Sequence, residues 1–201
     1  MPKSKYKKIA WAYDFLDLPF EYLRYQSIRK KILSDLNGLI LEAGVGTGRN
    51  MAFYPNNCIV IGIDNSRDML KLSKKSAAKT SVTVHLAEID IQSCALKDNS
   101  FDYIVSTFVF CTLKKDQQIK ALKELGRILK PNSQLRILDY TYSKNLIRLI
   151  IMKFWSPWVN FAFDAKFERS VDNSVIEASG LSHISTDFVY KDMIKITVLK
   201  K

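Results

Sequence analysis

Three glycines at alternate positions, Gly44, Gly46 and Gly48, follow an apolar run, Leu39-Ile40-Leu41, that ends in the carboxylate Glu42. Glycine has no Cβ, so the chain can bend sharply there and let a ligand lie against the backbone. A strand that runs into such a bend and leaves as a helix is how an open α/β sheet builds a nucleotide site at its carboxyl edge. A second apolar run, Ile59 to Ile63, ends in Asp64. This acid lies near the ~20-residue offset at which doubly wound folds place the group that holds ribose hydroxyls. The glycine spacing is not G-x-G-x-x-G, and Glu42 would repel a pyrophosphate of the kind that motif seats on a helix N-terminus. A carboxylate beside the bend suits a cationic ligand instead, which puts dinucleotide hydride transfer second.

The elements that must hold these groups alternate regularly. Short β-rich runs fall near 39–43, 58–63, 82–87, 101–107 and 135–140, with helical patterns over about 20–36, 48–54, 67–77 and 116–129. That alternation favours a parallel sheet. Asp64 and Ser66 stand where their oxygens can satisfy the free N–H groups of the helix 67–77. The helix at 116–129 buries Ile119, Leu122 and Leu129 at helical spacing and stops before Pro131. A short helix, 173–178, ends at Gly180, and two final strands, 183–190 and 193–199, close the chain.

Residues 42–48 resemble motif I of the class I S-adenosylmethionine-dependent methyltransferases, whose cofactor carries an ammonium and a sulfonium. Further segments resemble that family in order: Ala87-Glu88-Ile89-Asp90-Ile91, the run Leu96 to Val105, and the run Leu122 to Asn132. Ser133 stands where relatives usually have glycine. The resemblance spans about residues 36–140. It implies an α/β, Rossmann-like seven-stranded sheet in the order 3-2-1-4-5-7-6, the last strand antiparallel, with helices on both faces. It implies S-adenosyl-L-methionine as cofactor, with Glu42, Gly44, Gly46 and Gly48 around the methionine end. Asp64 would take the ribose, Asp90 with Ile91 the adenine, and Asn65, Met69 and Thr107 would complete the site.

The runs Gly48 to Pro55 and Ser106 to Leu113 look most like bacterial phosphatidylethanolamine N-methyltransferases and the related microsomal thiol methyltransferases. In those relatives a Glu-His pair tends to close the fifth strand; here Asp139-Tyr140 stands instead. Transfer from a good leaving group needs mainly an in-line acceptor. Asp139, Tyr140 and Tyr142, together with Tyr13, are the candidate acceptor-side groups, Asp139 to orient an ammonium and a tyrosine to accept its proton. His85 and His183 fall in predicted strands and read as structural. No Asp/Asn-Pro-Pro-Tyr/Phe segment and no Pro-Cys pair is present, which counts against adenine N-methylation and cytosine C5-methylation. The favoured acceptor is a phospholipid head-group amine. Small lipophilic thiols, amines or quinones are the alternative, with an RNA methyltransferase or RNA-binding module as the contrasting reading.

The 201 residues suit one domain, and 47% hydrophobic with 25% charged residues is ordinary for a globular chain. The net charge of +11 is not ordinary and attracts polyanions, an anionic membrane surface or nucleic acid. Cys58, Cys94 and Cys111 form no C-x-x-C or Cys/His cluster, so no metal is expected and a reducing cytoplasm is. Asp14 and Asp17 interrupt any signal-peptide core. Two segments could choose the acceptor. Residues 1–35 interleave lysines and arginines with aromatics and read as a membrane-surface segment, a nucleic-acid contact or a lid. Residues 143–168 form an apolar insert whose Arg148, Lys153 and Pro157 make a spanning helix costly, while Trp155 and Trp158 suit an interface. The expectation is a cytoplasmic protein that can lie peripherally on a membrane.

Overall fold

Apolar runs of β-branched residues bury both of their faces only when helices cover a parallel sheet on each side. The computed structural model describes residues 25–163 and 165–201 and shows that arrangement. Seven strands form one sheet: β1 (Gly38–Ala43), β2 (Cys58–Asp64), β3 (Thr83–Glu88), β4 (Phe101–Thr107), β5 (Leu129–Tyr140), β6 (Ser182–Tyr190) and β7 (Ile194–Lys200). Their order is β3-β2-β1-β4-β5-β7-β6. β1 to β5 are parallel, and β7 runs antiparallel to both neighbours. This is the order and polarity that the family resemblance implies.

Among the described residues five helices accompany the sheet: α1 (Gln26–Leu33), α2 (Arg67–Ala77), α3 (Lys115–Ile128), α4 (Leu146–Phe163) and α5 (Asn173–Ser179). Adjacent residues of β1 enter opposite cores, as the pleat requires. Ile40 packs with Ile28, Ile32 and Leu33 of α1, and Leu41 with Leu122, Leu125 and Ile128 of α3. Each such side chain, fully buried, contributes about 1.5–3 kcal/mol. Gly126 lets Leu181 pack closely on α3, since a Cβ there would lie 3.0 Å from Leu181 Cδ2. α5 ends at Gly180, whose φ of 80° is the left-handed stop that a glycine supplies.

Two departures from the sequence expectation have physical causes. The helix expected over 48–54 is a single 3-10 turn, Met51–Phe53. Gly48 holds φ +82°, outside the helical region, and Pro55 follows within a few residues. The fifth strand starts at Leu129 rather than 135. The ladder opens with Phe101↔Leu129 and resumes at Tyr103↔Gln134, so Lys130–Ser133 bulge out, with Asn132 at φ 65°. Of the helix expected over 20–36, Gln26–Leu33 is helical, and residues 20–24 lie outside the described residues. Asp102 ties the start of β1 by accepting from Leu39 N at 2.9 Å.

Candidate active site

The bend after β1 is built from left-handed backbone. Gly44, Gly46 and Gly48 have φ of +78°, +53° and +82°. Each serves a different need. A Cβ on Gly44 would collide with Val109, whereas one on Gly46 would meet nothing within 4 Å. Gly46 thus opens onto the cavity described below. Gly48 packs inward, where a Cβ would lie 2.9 Å from Ser76 Cβ. The bend is fixed from β2: Ile63 O accepts from Gly44 N and Val45 N, both at 2.9 Å. Asp64 Oδ2 accepts from Gly46 N and Oδ1 from Ser66 N, each at 2.9 Å. Burial raises the Asp64 pKa, and these two N–H groups oppose the rise.

Behind the bend lies a buried polar network. Glu42 is 1% exposed and accepts from Asn50 Nδ2 at 2.8 Å and from Tyr54 Oη at 3.2 Å. Asn50 Oδ1 in turn accepts from Arg29 Nη1 of α1. Burial pushes the Glu42 carboxyl up to about 7, against the Arg29 charge and the two hydrogen bonds. Asn50 also donates to Thr107 Oγ1, at 3.2 Å, at the end of β4.

Beyond β4 the chemistry turns aromatic. Phe108 holds φ 58°, a strained conformation for a bulky residue, and Leu138 O fixes its N–H at 2.8 Å. That conformation lays its ring on Tyr140, with centroids 4.5 Å apart, and places it 5.5 Å from Tyr25. Phe167 meets Tyr140 edge-on at 5.5 Å, and the Tyr25 and Tyr140 hydroxyls are 3.0 Å apart. Pairs of this geometry add about 0.5–1.5 kcal/mol beyond burial.

A cavity of about 700 Å³ joins these three regions. Small-molecule sites span roughly 300–1,000 Å³. Of the residues that the sequence suggests for the cofactor, Glu42, Gly44, Gly46, Asp64, Asn65, Met69, Asp90, Ile91 and Thr107 line it, and Gly48 does not. Asp90 lines it at the start of a turn in which its carboxylate accepts from Gln92 N at 2.9 Å. Ile151, Trp155 and Trp158 of α4 line the far end.

The suggested acceptor-side residues separate. Tyr140 lines the cavity. Tyr142 does not, and its hydroxyl meets Glu168 at 3.3 Å. Tyr13 lies outside the described residues. Asp139 is 2% exposed and does not line the cavity, accepting from Cys111 N at 2.6 Å and Tyr140 N at 2.9 Å. Burial pushes it up to about 7, opposed by the contacts of Cys111 and Tyr140 and by the Lys195 charge. Through Cys111 N it holds the segment after β4. Burial and the neighbouring Asp139 raise the Cys111 thiol far above its ordinary range, so it is no thiolate nucleophile.

Sequence reasoning did not single out Arg29, Asn50, Tyr54, Phe108 or Phe167. Asn50 and Tyr54 fall inside the run 48–55, whose likeness to relatives was a signal. Phe108 falls inside the run 106–113, which carried the same likeness, and Arg29 inside the helical pattern 20–36, but their meeting with Phe167 is assembled across long stretches of chain.

The sheet order, the glycine bend and the acid ending β2 define a Rossmann-like methyltransferase. A family model described as a methyltransferase domain matches residues 40–132. The chain is 25% identical to a demethylmenaquinone methyltransferase of Staphylococcus haemolyticus, over 94% of this chain and 80% of the relative. It is 30% identical to a thiol S-methyltransferase of Rattus norvegicus, over 57% of this chain and 50% of the relative. A phosphatidylethanolamine N-methyltransferase of Cereibacter sphaeroides is 24% identical, over 57% of this chain and 58% of the relative. The chain thus spans only half to three-fifths of the length of the last two. Among solved structures, a methyltransferase of Thermotoga maritima superposes with a TM-score of 0.70 at 22% identity, covering 98% of this chain and 97% of that one. The domain match and these relatives, with the sheet order, support a class I S-adenosylmethionine-dependent methyltransferase.

The donor set suits that cofactor. Three acids line the cofactor half of the cavity, Gly46 leaves open space beside them, and the cofactor's amino-acid end brings an ammonium and its sulfur a positive charge.

Proposed function

We propose that the chain methylates a lipophilic acceptor drawn from a membrane surface. The observation that carries this reading is the double role of α4. Ile151, Trp155 and Trp158 line the cavity and are also 53%, 53% and 44% exposed. The same helix exposes Leu146, Ile147, Ile150 and Phe154. A helix with this much exposed apolar surface suits the boundary of a bilayer, where tryptophan is favoured. Lys144 and Lys153 beside this surface are exposed and would favour anionic lipid. Among the described residues no helix is long and apolar enough to cross a membrane.

The cofactor supplies an electrophilic methyl group on a cationic sulfur. What this chain supplies is position and a dry, aromatic chamber. The bend with Glu42 and Asp64 fixes one end, Asp90 and Ile91 the other, and Phe108, Tyr140, Tyr25 and Phe167 wall the acceptor side. Within the lipophilic class, a phospholipid head-group amine is supported by those rings, since ammonium groups are attracted to aromatic faces. Once the ammonium has released its proton to water, the facing hydroxyls of Tyr25 and Tyr140 could accept a hydrogen bond from the neutral amine and orient it for transfer. A quinol or thiol is the second reading. It is favoured by the cavity lining, in which the acids among the described residues are Glu42, Asp64 and Asp90, all on the cofactor side.

The test is methyl transfer from labelled cofactor to vesicles containing phosphatidylethanolamine, a quinol or a long-chain thiol, presented separately. Label in one of the lipid extracts is expected. Label confined to RNA or to water-soluble metabolites would overturn the reading.

A further inference from the structure

We propose that Asp192, in the turn between β6 and β7, is the positioning residue of the acceptor chamber: it grips Arg148 and the chain entering α4, and so fixes which face of that helix lines the cavity. This role rests on the acceptor reading above and adds to it the residue that aims the chamber's outer wall.

Asp192 gathers the start of α4 on one carboxylate. Ser143 Oγ donates to it, lying 2.8 and 2.7 Å from its two oxygens. Oδ1 also accepts from Arg148 Nε at 3.0 Å, and Oδ2 from Lys144 N at 2.8 Å. The Ser143 hydroxyl first, and then Lys144 N and Arg148, hold the Asp192 carboxyl far below the usual carboxylate range, so the grip stays charged near neutral pH. The turn is itself fixed to the sheet. Thr141 N, just past β5, donates to Met193 O at 2.9 Å, and Met193 N donates to Tyr190 O at 3.2 Å.

Ile151, Met152, Trp155, Trp158 and Val159 of α4 line the cavity. Residues at this spacing form one stripe along a helix. Arg148 stands three and four residues before the first two, which places it on the same stripe, one turn nearer the N-terminus. The side chain that Asp192 holds is thus in line with those that face the acceptor.

Packing does not supply that orientation by itself, because among residues 146–160 Met152 alone is buried. The far end is tied past the helix, where Lys166 N donates to Cys111 O at 3.0 Å and Arg169 Nη1 to Thr112 O at 2.9 Å. Those bonds place the end of the axis, and the grip at Asp192 sets the rotation about it. A turn of α4 by one residue, about 100°, would take Arg148 from Asp192 and the stripe from the cavity together.

Two readouts on the full chain test this, and the first needs no acceptor. In a Trp11→Phe background, Trp155 and Trp158 are the remaining tryptophans, and acrylamide quenching of their fluorescence reports how α4 lies. Asp192→Asn and Arg148→Met should each raise the quenching constant about 1.5-fold or more, and the double variant should raise it no further, since the two residues act as a unit. The second readout is transfer from labelled cofactor to whichever of phosphatidylethanolamine vesicles, a quinol or a long-chain thiol the wild type methylates. Both variants should raise the acceptor KM about fivefold or more, with kcat and cofactor affinity within about twofold. Arg148→Lys, which keeps the charge, should stay nearer the wild type in both readouts. Should Asp192→Asn fail to fold, Arg148→Met, whose side chain is 35% exposed, carries the test. Folded variants with wild-type quenching and KM overturn the proposal, as do variants that lose kcat and cofactor affinity as much as acceptor KM. A wild type that methylates none of the three acceptors overturns the acceptor reading instead, and the quenching then decides the role of Asp192.

Discussion

Asp64, at the end of β2, accepts the backbone N–H of Gly46, in the bend after β1, at 2.9 Å. One carboxylate thus shapes the bend and also lines the cavity. Asp64→Ala is expected to weaken cofactor binding by about tenfold or more, measured by calorimetry. Asp64→Asn should fall between, since an amide oxygen can still accept from Gly46. Unchanged affinity in the alanine variant would remove Asp64 from the site.

Gly44 and Gly46 should respond differently to the same added methyl. Gly44→Ala combines φ +78° with a collision at Val109, so a stability loss of roughly 1–3 kcal/mol is expected. Gly46→Ala pays only the left-handed penalty of about 1–2 kcal/mol, because nothing lies within 4 Å of its Cβ. Its methyl projects on the cavity side, so cofactor affinity should fall more than stability accounts for. Denaturant melts beside binding isotherms separate the two. Gly46→Ala with undiminished affinity would place the cofactor away from the bend.

The strands β1 and β2 and the glycine bend were legible because each is local, whereas the strand order came only from the family resemblance. Leu39 to Glu42 and Ile59 to Asp64 each carry a strand, its end and its ligand in one short run. The expected helix at 48–54 was not to be had, because the left-handed need of Gly48 outweighs the apolar pattern after it. The acceptor half depends on long-range assembly: Tyr25, Phe108, Tyr140 and Phe167 come from four separate segments. The orientation of Asp139 was equally hidden. Nothing in Leu138-Asp139-Tyr140 says that the carboxylate turns to Cys111 N rather than to a ligand.

Asp139 offers a pH test. Its pKa rises from 3.8 to about 7 in the folded chain. Between about pH 4 and 7 the folded state therefore holds a proton that the unfolded chain has released. By linkage this group's contribution to stability falls as pH rises through that window and is level above it. The Asp139→Asn variant cannot titrate there. Its Tm should be lower throughout, since an amide N–H₂ opposes a backbone N–H at a cost of about 1–3 kcal/mol. Its Tm should also decline less steeply than the wild type's from pH 5 to 7. Parallel Tm–pH curves would show that Asp139 is ionised across the range.

Phe154 and Ile147 are 79% and 71% exposed on α4 and do not line the cavity. Phe154→Glu and Ile147→Glu should change stability by no more than about 0.5 kcal/mol. Flotation with anionic vesicles should fall several-fold, and cofactor affinity should hold. Undiminished flotation would show that α4 is not the contacting element.

Because α4 is at once cavity wall and outer face, an acceptor embedded in a bilayer could reach the chamber by lateral diffusion, without dissolving in water. Turnover would then follow a two-dimensional concentration. Diluting the acceptor with inert lipid at constant total acceptor would slow the reaction, whereas diluting the whole suspension with buffer, once the protein is fully bound, would leave the rate per enzyme unchanged.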